Sequence, residues 1–239
     1  MKSIDIYIPP EFRMTEEERE KILAGDKKCK VCNDLHFIID DSGNTVRCKC
    51  KLEEDILVNM KRSGMNNLLE HKVGNFVATE DWQKQLKNMA ISYAKDTENK
   101  WFVLLGQSGA GKTMVCSALA NKCLSDGEMV NYIQWDLFIR TLKSNMFNND
   151  NMYLEEVKKI QTLYIDDLFK GKISEYDLEI CFDIINFRYV NKLRTIVSSE
   201  YTFTQLNEID SAIAGRMYEM CKNYMFEIKK DIKNNYRLK

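Results

Sequence analysis

The sequence predicts an α/β protein, a parallel sheet flanked by helices, preceded by a small N-terminal metal-binding domain. Three observations carry that prediction. From Val73 onward, short β-rich apolar runs alternate with helical stretches, the pattern of strands joined by crossover helices. A glycine-rich octapeptide, Gly106-Gln107-Ser108-Gly109-Ala110-Gly111-Lys112-Thr113, stands between one such run and a helix-prone segment. Near the N-terminus, Cys29, Cys32, Cys48 and Cys50 form a tight group, whereas the remaining cysteines are scattered.

In chain order, residues 11–25 read as a charged helix. The spacing Cys29-x₂-Cys32-x₁₅-Cys48-x-Cys50 encloses two β-prone segments, with Asp40-Asp41-Ser42-Gly43-Asn44 as the turn between them. A hairpin that brings two ligand pairs together suits tetrahedral Zn²⁺, and in a module with a thin core the metal supplies much of the folding free energy. His36 is an alternative ligand, although Phe37 beside it makes an ordinary strand position equally natural; a redox or free-thiol role is the other reading of the cluster. Residues 52–62 read as an amphipathic helix ending near Ser63-Gly64, so the N-terminal module is expected to span 1–70 and the α/β domain 71–239. Cys116, Cys123, Cys181 and Cys221 lie in apolar segments and read as small buried residues in a reducing compartment.

The α/β domain starts with a helix near 80–95. The expected order is then a strand at 101–105, the glycine-rich loop, a helix over Met114–Leu124, a strand over Val130–Ile133 and a helix at 136–146. A polar interruption at Asn148–Asn151 precedes a strand over Thr162–Ile165, a helix near 175–190, a strand over Thr195–Val197 and a mostly helical remainder. The basic tail, with Lys222, Lys229, Lys230, Lys233, Arg237 and Lys239, is the densest basic region and reads as a solvated helix face or as a local patch for nucleic acid.

Strand, glycine turn, Lys-Thr, helix is the order a nucleoside triphosphate requires. Glycines let backbone N–H groups curl around phosphates, and the helix N-terminus adds the positive end of its dipole. Lys112 is then placed to neutralise the β- and γ-phosphates, and the Thr113 hydroxyl to hold Mg²⁺, with Met114 next to it. The run Thr162-Leu163-Tyr164-Ile165-Asp166-Asp167 is an apolar strand ending in two acids. Asp166 is expected to hold Mg²⁺ through water, and Asp167 to polarise the water that attacks the γ-phosphate. Ser198-Ser199-Glu200 ends a neighbouring strand, where Ser199 or Glu200 is in position to sense hydrolysis. Arg216, on a short helical segment after Asp210, suits either a salt-bridging role or a finger that reaches a neighbouring subunit's nucleotide.

Composition bounds the alternatives. The 239 residues are 44% hydrophobic and 30% charged, enough for one good core with a satellite module. A net charge of −1 excludes a global basic field, so any nucleic-acid contact has to come from a local patch. No apolar run approaches the roughly 18 residues of a membrane span, and the first residues lack the apolar core of a secretory signal, so a soluble, cytoplasmic protein is expected.

With these motifs in this order, the chain resembles the DnaC/DnaI-type bacterial and phage helicase loaders, members of the AAA+ ATPases. Val73-Gly74-Asn75-Phe76 with Asp81-Trp82-Gln83 is similar to the segment that precedes the family's phosphate loop, which adds Phe76 to the nucleotide-binding set. Asp166-Asp167-Leu168-Phe169-Lys170-Gly171 is similar to the family's acidic strand end. The resemblance implies an AAA+ P-loop core that binds and hydrolyses ATP with Mg²⁺; this chain's departures from the family, a replaced sensor asparagine and no clear helical lid after Arg216, make weak hydrolysis in isolation the expectation. It also implies an N-terminal zinc module that binds a hexameric replicative DNA helicase, contact with single-stranded DNA, and self-association through the ATPase domain. Arg216 matches the family's arginine finger, and Trp135–Met146, carrying Arg140 and Lys143, falls where loaders touch single-stranded DNA. The family's sensor asparagine is replaced by Glu200, and Arg237 is the late candidate for a second sensor arginine. A transposition helper ATPase of the IstB type shares this core, and a small-molecule kinase shares the phosphate loop alone.

Overall fold

The computed structural model describes residues 29–39, 43, 45–48, 50–51, 63–65, 68–98, 100–145 and 152–238. The expected helices at 11–25 and 52–62 lie outside them, as does most of the 40–44 turn. The chain divides into two compact units, Met1–Leu52 and Glu53–Lys239.

The first unit contains the expected hairpin. Strands β1 (Phe37–Ile39) and β2 (Thr45–Arg47) pair antiparallel, with Phe37 opposite Arg47 and Ile39 opposite Thr45.

The second unit is built on a five-stranded parallel sheet. Along the chain come α1 (Asp81–Tyr93), β3 (Phe102–Gly106), α2 (Lys112–Ser125), β4 (Val130–Gln134), α3 (Trp135–Asn145) and α4 (Met152–Lys159). They are followed by β5 (Thr162–Asp166), α5 (Glu175–Val190), β6 (Arg194–Ser198), α6 (Phe203–Ile209), α7 (Ser211–Cys221) and β7 (Met225–Ile228). The strand order is β4-β5-β6-β3-β7, every neighbouring pair parallel. All five residues of each of β3, β5 and β6 are buried, as central parallel strands covered on both faces require.

Strand alternation divides the core into two layers. Val103, Leu105, Leu163, Ile165 and Val197 point into one layer, where α3, α5 and α7 supply Phe138, Ile184 and Met217. Phe102, Leu104, Tyr164 and Ile196 point into the other, against Leu86 and Tyr93 of α1 and Leu119 of α2. The scattered cysteines, Cys116, Cys123, Cys181 and Cys221, are free and buried within these layers, as expected.

Four details depart from the sequence reading. Helix α4 follows the polar interruption where no element was expected, held by an apolar stripe of which Val157 is fully buried. The remainder after β6 is not all helical: β7 joins the sheet beside β3, pairing Val103 with Met225 and Gly106 with Ile228. The basic tail is therefore a strand followed by short 3₁₀ turns at Ile232–Asn234 and Tyr236–Leu238 rather than a helix face, although Lys229, Lys230 and Lys233 are exposed. Finally, Ser63–Met65 and Leu68, assigned to the N-terminal module, belong to the larger unit: Met65 is fully buried, Tyr132 N donates to Ser63 O at 2.8 Å, and Asn121 Nδ2 donates to Leu68 O at 2.8 Å.

Candidate functional site

The turn between β3 and α2 forms a cradle at the carboxyl ends of the strands. Gly106, Gly109 and Gly111 have φ of +93°, +72° and +85°, the left-handed region that side-chain-bearing residues rarely adopt. Gly106 has a second reason to be glycine: a Cβ there would lie 2.2 Å from the carbonyl oxygen of Ile228 on β7. Around the cradle lies a cavity of about 380 Å³, lined by Ser108, Gly109, Gly111, Lys112, Thr113 and Met114 of the loop and helix. Asn75, Phe76 and Val77 form another wall, with Asp167, Lys170, Glu200, Tyr236 and Arg237 completing it. Gln107 and Ala110 belong to the turn without lining the cavity, and Ala110 is turned into the core.

Lys112 Nζ donates to the carbonyls of Gly106 and Gln107, both at 2.8 Å. Burial lowers its ammonium below the usual lysine range, against the upward pull of Glu200 and Asp167. The lysine is thus desolvated, held on backbone dipoles and free of any direct carboxylate bond, ready for exchange onto an anion.

Thr113 Oγ1 donates to Asp166 Oδ1 at 3.2 Å, so the two residues expected to hold a divalent cation meet at one point. Asp166 is further fixed by Tyr164 Oη at 2.7 Å, by Ser198 Oγ, and by Tyr132 Oη at 3.3 Å. Burial, with the neighbouring Asp166 charge, keeps both phenols well above their usual pKa, so they act as donors. Sequence reasoning missed this hydroxyl cage. The period of two along β5 was the available signal, since Tyr164 and Asp166 share one side of the strand.

Asp167 has φ of +55°, and its Oδ2 pairs with Lys170 Nζ at 2.7 Å. Glu200 accepts from Ser108 Oγ at 2.7 Å. Burial would raise the Glu200 carboxyl, but the Ser108 bond and the charges of Lys170 and Lys112 outweigh it and hold it below the usual range. Ser199, the alternative at this strand end, is fully buried and donates to Leu168 O at 2.8 Å. Its hydroxyl braces the loop after β5 and does not line the cavity.

Arg216 is not brought to the cavity. It lies on α7, with Nε donating to Asn186 Oδ1 at 3.0 Å and its guanidinium over the rings of Phe182 and Tyr189 at 5.0 and 5.6 Å. Arg237 does line the cavity, carried there by the tail. Tyr236 N donates to Gly109 O at 2.9 Å, and Tyr236 Oη accepts from Gln83 Nε2 at 2.6 Å. No local pattern marks Tyr236, because its contacts span the whole domain.

The other chemical group is in the first unit. The Sγ atoms of Cys29, Cys32, Cys48 and Cys50 all lie within 4.8 Å of one another, with Cys29–Cys48 at 3.8 Å and Cys32–Cys50 at 3.4 Å. A tetrahedron of sulfurs bonded to zinc at ~2.3 Å has edges of about 3.8 Å, so these four fit a structural zinc ion closely. Backbone hydrogen bonds at Cys32 and Val31 lower the Cys29 thiol to about 7, while burial and the neighbouring sulfurs push the Cys50 thiol up. His36 Nδ1 sits 3.8 Å from Cys50 Sγ, beside the four sulfurs rather than among them.

The sequence matches the IstB-like ATP binding protein family over residues 18–238. The chain belongs to this family. It is 30% identical over 208 residues to the uncharacterized protein YqaM of Bacillus subtilis strain 168, covering 80% of this chain and 66% of YqaM, just under two thirds of that protein. It is also 26% identical over 129 residues to the IS21 putative ATP-binding protein of Pseudomonas aeruginosa, covering 53% of this chain and 48% of that protein. Among solved structures, the DnaC helicase loader superposes with a TM-score of 0.60 at 19% identity, covering 69% of this chain and 99% of that one. The DnaI structure gives 0.58 at 21% identity, covering 69% and 93%. These structures show the AAA+ fold of the second unit, and the family match shows an ATP-binding protein.

Proposed function

We propose that this IstB-like ATPase loads a hexameric replicative DNA helicase onto single-stranded DNA, with ATP as the switch that governs assembly. The observation that carries the reading is the pairing of a four-cysteine unit with an ATPase core that covers nearly all of the DnaC loader structure. In this reading Cys29, Cys32, Cys48 and Cys50 hold a structural zinc, and their unit binds the helicase. The backbone N–H groups of Ser108–Thr113 receive the phosphates, those of Gly106 and Gln107 being bonded to Ser199 O and Ile228 O; Lys112 exchanges its two carbonyl partners for phosphate oxygens, and Phe76 and Met114 bound the nucleotide. Thr113 and Asp166 hold Mg²⁺, which supplies charge neutralisation at the β- and γ-phosphates. Asp167 orients and deprotonates the attacking water, Glu200 reports the phosphate state to Ser108, and Arg216 serves a neighbouring subunit's site, since it does not reach its own.

Contact with DNA is assigned to the outer face of α3. Its inner face, with Trp135, Phe138, Ile139 and Leu142, is buried on the sheet, while Leu137 and Arg140 are exposed. Arg140 is paired with Asp136 and Lys143 with Asp177, so binding a phosphate backbone there requires exchange of those ion pairs. No helix among the described residues is long and apolar enough to cross a membrane, and the free buried thiols suit the cytoplasm.

The test is co-precipitation with the replicative helicase, with and without ATP. Nucleotide-dependent capture is expected, and capture of neither form of the helicase would sink the reading. The IS21 relative favours a second reading, a transposition helper, for which the same assay with a transposase and duplex DNA is the discriminating arm.

Two variants probe the parts. Asp167→Asn is expected to bind ATP within about twofold of wild type while hydrolysis falls roughly 10²-fold or more, the usual size of a lost general base; equal turnover would remove the assignment. Cys29→Ser is expected to lower bound zinc, measured by atomic absorption, and to loosen the first unit while ATP affinity is unchanged. Full zinc content in that variant would exclude Cys29 as a ligand.

A further inference from the structure

The loop after β5 is bent in a way its sequence does not favour. Asp167 and Phe169 both adopt left-handed φ, +55° and +61°, before Gly171 at +94°. A non-glycine residue there costs on the order of 1–2 kcal/mol, so two of them persist only where the surroundings impose the shape. The surroundings do so. Leu168 and Phe169 are buried, Phe169 edge-on to Trp135 with ring centres 5.7 Å apart, and Leu168 N donates to Ser198 O at 2.8 Å. The result of this bracing is to turn Lys170 back over the cavity. Its Nζ lies 2.7 Å from Asp167 Oδ2 and 3.4 Å from Glu200 Oε1.

Lys112 and Lys170 are the two lysines lining this cavity, and Lys170 is on the side where the acids gather. An incoming γ-phosphate there meets two carboxylates, Asp167 and Glu200, and repulsion from both has to be offset by a cation. Lys112 makes no direct bond to either acid among the described residues and is held by the carbonyls of its own loop. Lys170 can move: its side chain is 44% exposed, and its described partners are those two acids.

We propose that Lys170 is a γ-phosphate contact that distinguishes ATP from ADP in this chain. Its ammonium neutralises Asp167 and Glu200. When ATP occupies the cavity, the ammonium exchanges onto a γ-phosphate oxygen, which leaves the Asp167 carboxylate available for water and releases Glu200 to its bond with Ser108. Glu200 thus has a function where a sensor asparagine was expected: it tethers the phosphate loop, through Ser108, to the cation that reads the γ-phosphate. Lys170 Nζ, Glu200 Oε1 and Ser108 Oγ form one continuous polar path, with steps of 3.4 and 2.7 Å.

This inference rests on nucleotide occupying the cavity, and the experiment separates the two. Titrate wild type, Lys170→Met, Lys170→Gln, Lys170→Arg and Lys112→Ala with Mg-ATP and Mg-ADP by calorimetry. Loss of one charge-assisted hydrogen bond predicts that Lys170→Met and Lys170→Gln weaken ATP binding roughly 10-fold or more while ADP binding stays within about twofold. Lys170→Arg is expected to retain most of the ATP preference, and Lys112→Ala to weaken both nucleotides. Unchanged ATP affinity in the Lys170 variants, or an equal loss for ATP and ADP, overturns the proposal with the nucleotide site intact. A wild-type chain that binds neither nucleotide overturns the functional reading itself. Because Lys170 is exposed, both substitutions are expected to leave the unfolding midpoint where it is, and having two of them guards against a defect peculiar to one.

Discussion

Lys112→Ala is expected to lower ATP affinity at least about 100-fold, measured by calorimetry or by displacement of a fluorescent nucleotide. The magnitude follows from two charge-assisted hydrogen bonds of roughly 1.5–3 kcal/mol each, with tenfold in affinity for every 1.4 kcal/mol. The geometry supports a value in the upper part of that span. Lys112 is 5% exposed and its charge is already desolvated, so little hydration is lost when phosphate arrives. Its Nζ ties Gly106 O to Gln107 O, so the variant also loosens the turn itself. Lys112→Arg is not expected to rescue, because the wider guanidinium has to fit a position built around two carbonyls. ATP affinity within tenfold of wild type in Lys112→Ala would falsify the phosphate-loop assignment.

Arg188→Met is expected to destabilise the larger unit by about 3–5 kcal/mol, read as a lower urea midpoint with an unchanged slope. Arg188 is fully buried on α5 and makes no described ion pair. Its Nη1 donates to Lys158 O at 3.1 Å and Ile160 O at 2.8 Å, its Nη2 to Arg194 O, and its Nε to Thr195 Oγ1 at 2.9 Å. These acceptors include carbonyls at the C-terminal end of α4 and at the start of β6. The last carbonyls of a helix have no intrahelical partner and carry the negative end of its dipole, so one guanidinium serves as the cap for α4 and a brace between α4, α5 and β6. Methionine fills the volume but supplies no donor, leaving several buried carbonyls unsatisfied. Equal midpoints in the two proteins would show that these carbonyls find water or other partners.

The nucleotide chemistry was legible in the sequence because each of its parts is local. Gly106, Gly109, Gly111, Lys112 and Thr113 act within a single turn, and the turn conformation follows from glycine's lack of a Cβ. Asp166 was legible because an apolar strand ending in an acid is one short pattern. The cysteine cluster was legible through spacing, since a hairpin makes two short-range pairs meet. The architecture followed from alternating periodicity, which located β3 to β6 to within about a residue. Helix α4, with 8 residues, and strand β7, with 4, were missed because so short a run shows too few repeats of its period, and both are held by long-range contacts.

Other assignments could not come from local pattern at all. Ser199 and Glu200 are adjacent, and only the packed structure shows that one faces Leu168 O while the other faces the phosphate loop. Arg216 stands on α7 near Asn186, 30 residues away in sequence, and its distance from the cavity is decided by how α7 packs on α5. Lys170 was only a letter in a motif until the braced loop turned it toward Asp167.

The sequence alone determined the ligand class, the four strands β3 to β6 and the cysteine cluster, because backbone conformational preference, strand periodicity and ligand spacing are short-range physics. Tertiary structure decided which charged groups share the cavity, that the tail returns to place Tyr236 and Arg237 on the phosphate loop, and that a buried arginine caps a helix it does not belong to. Those outcomes depend on electrostatics and packing between segments as far apart as Gln83 and Tyr236, a separation of 153 residues, and the meeting of such segments is set by the whole core at once.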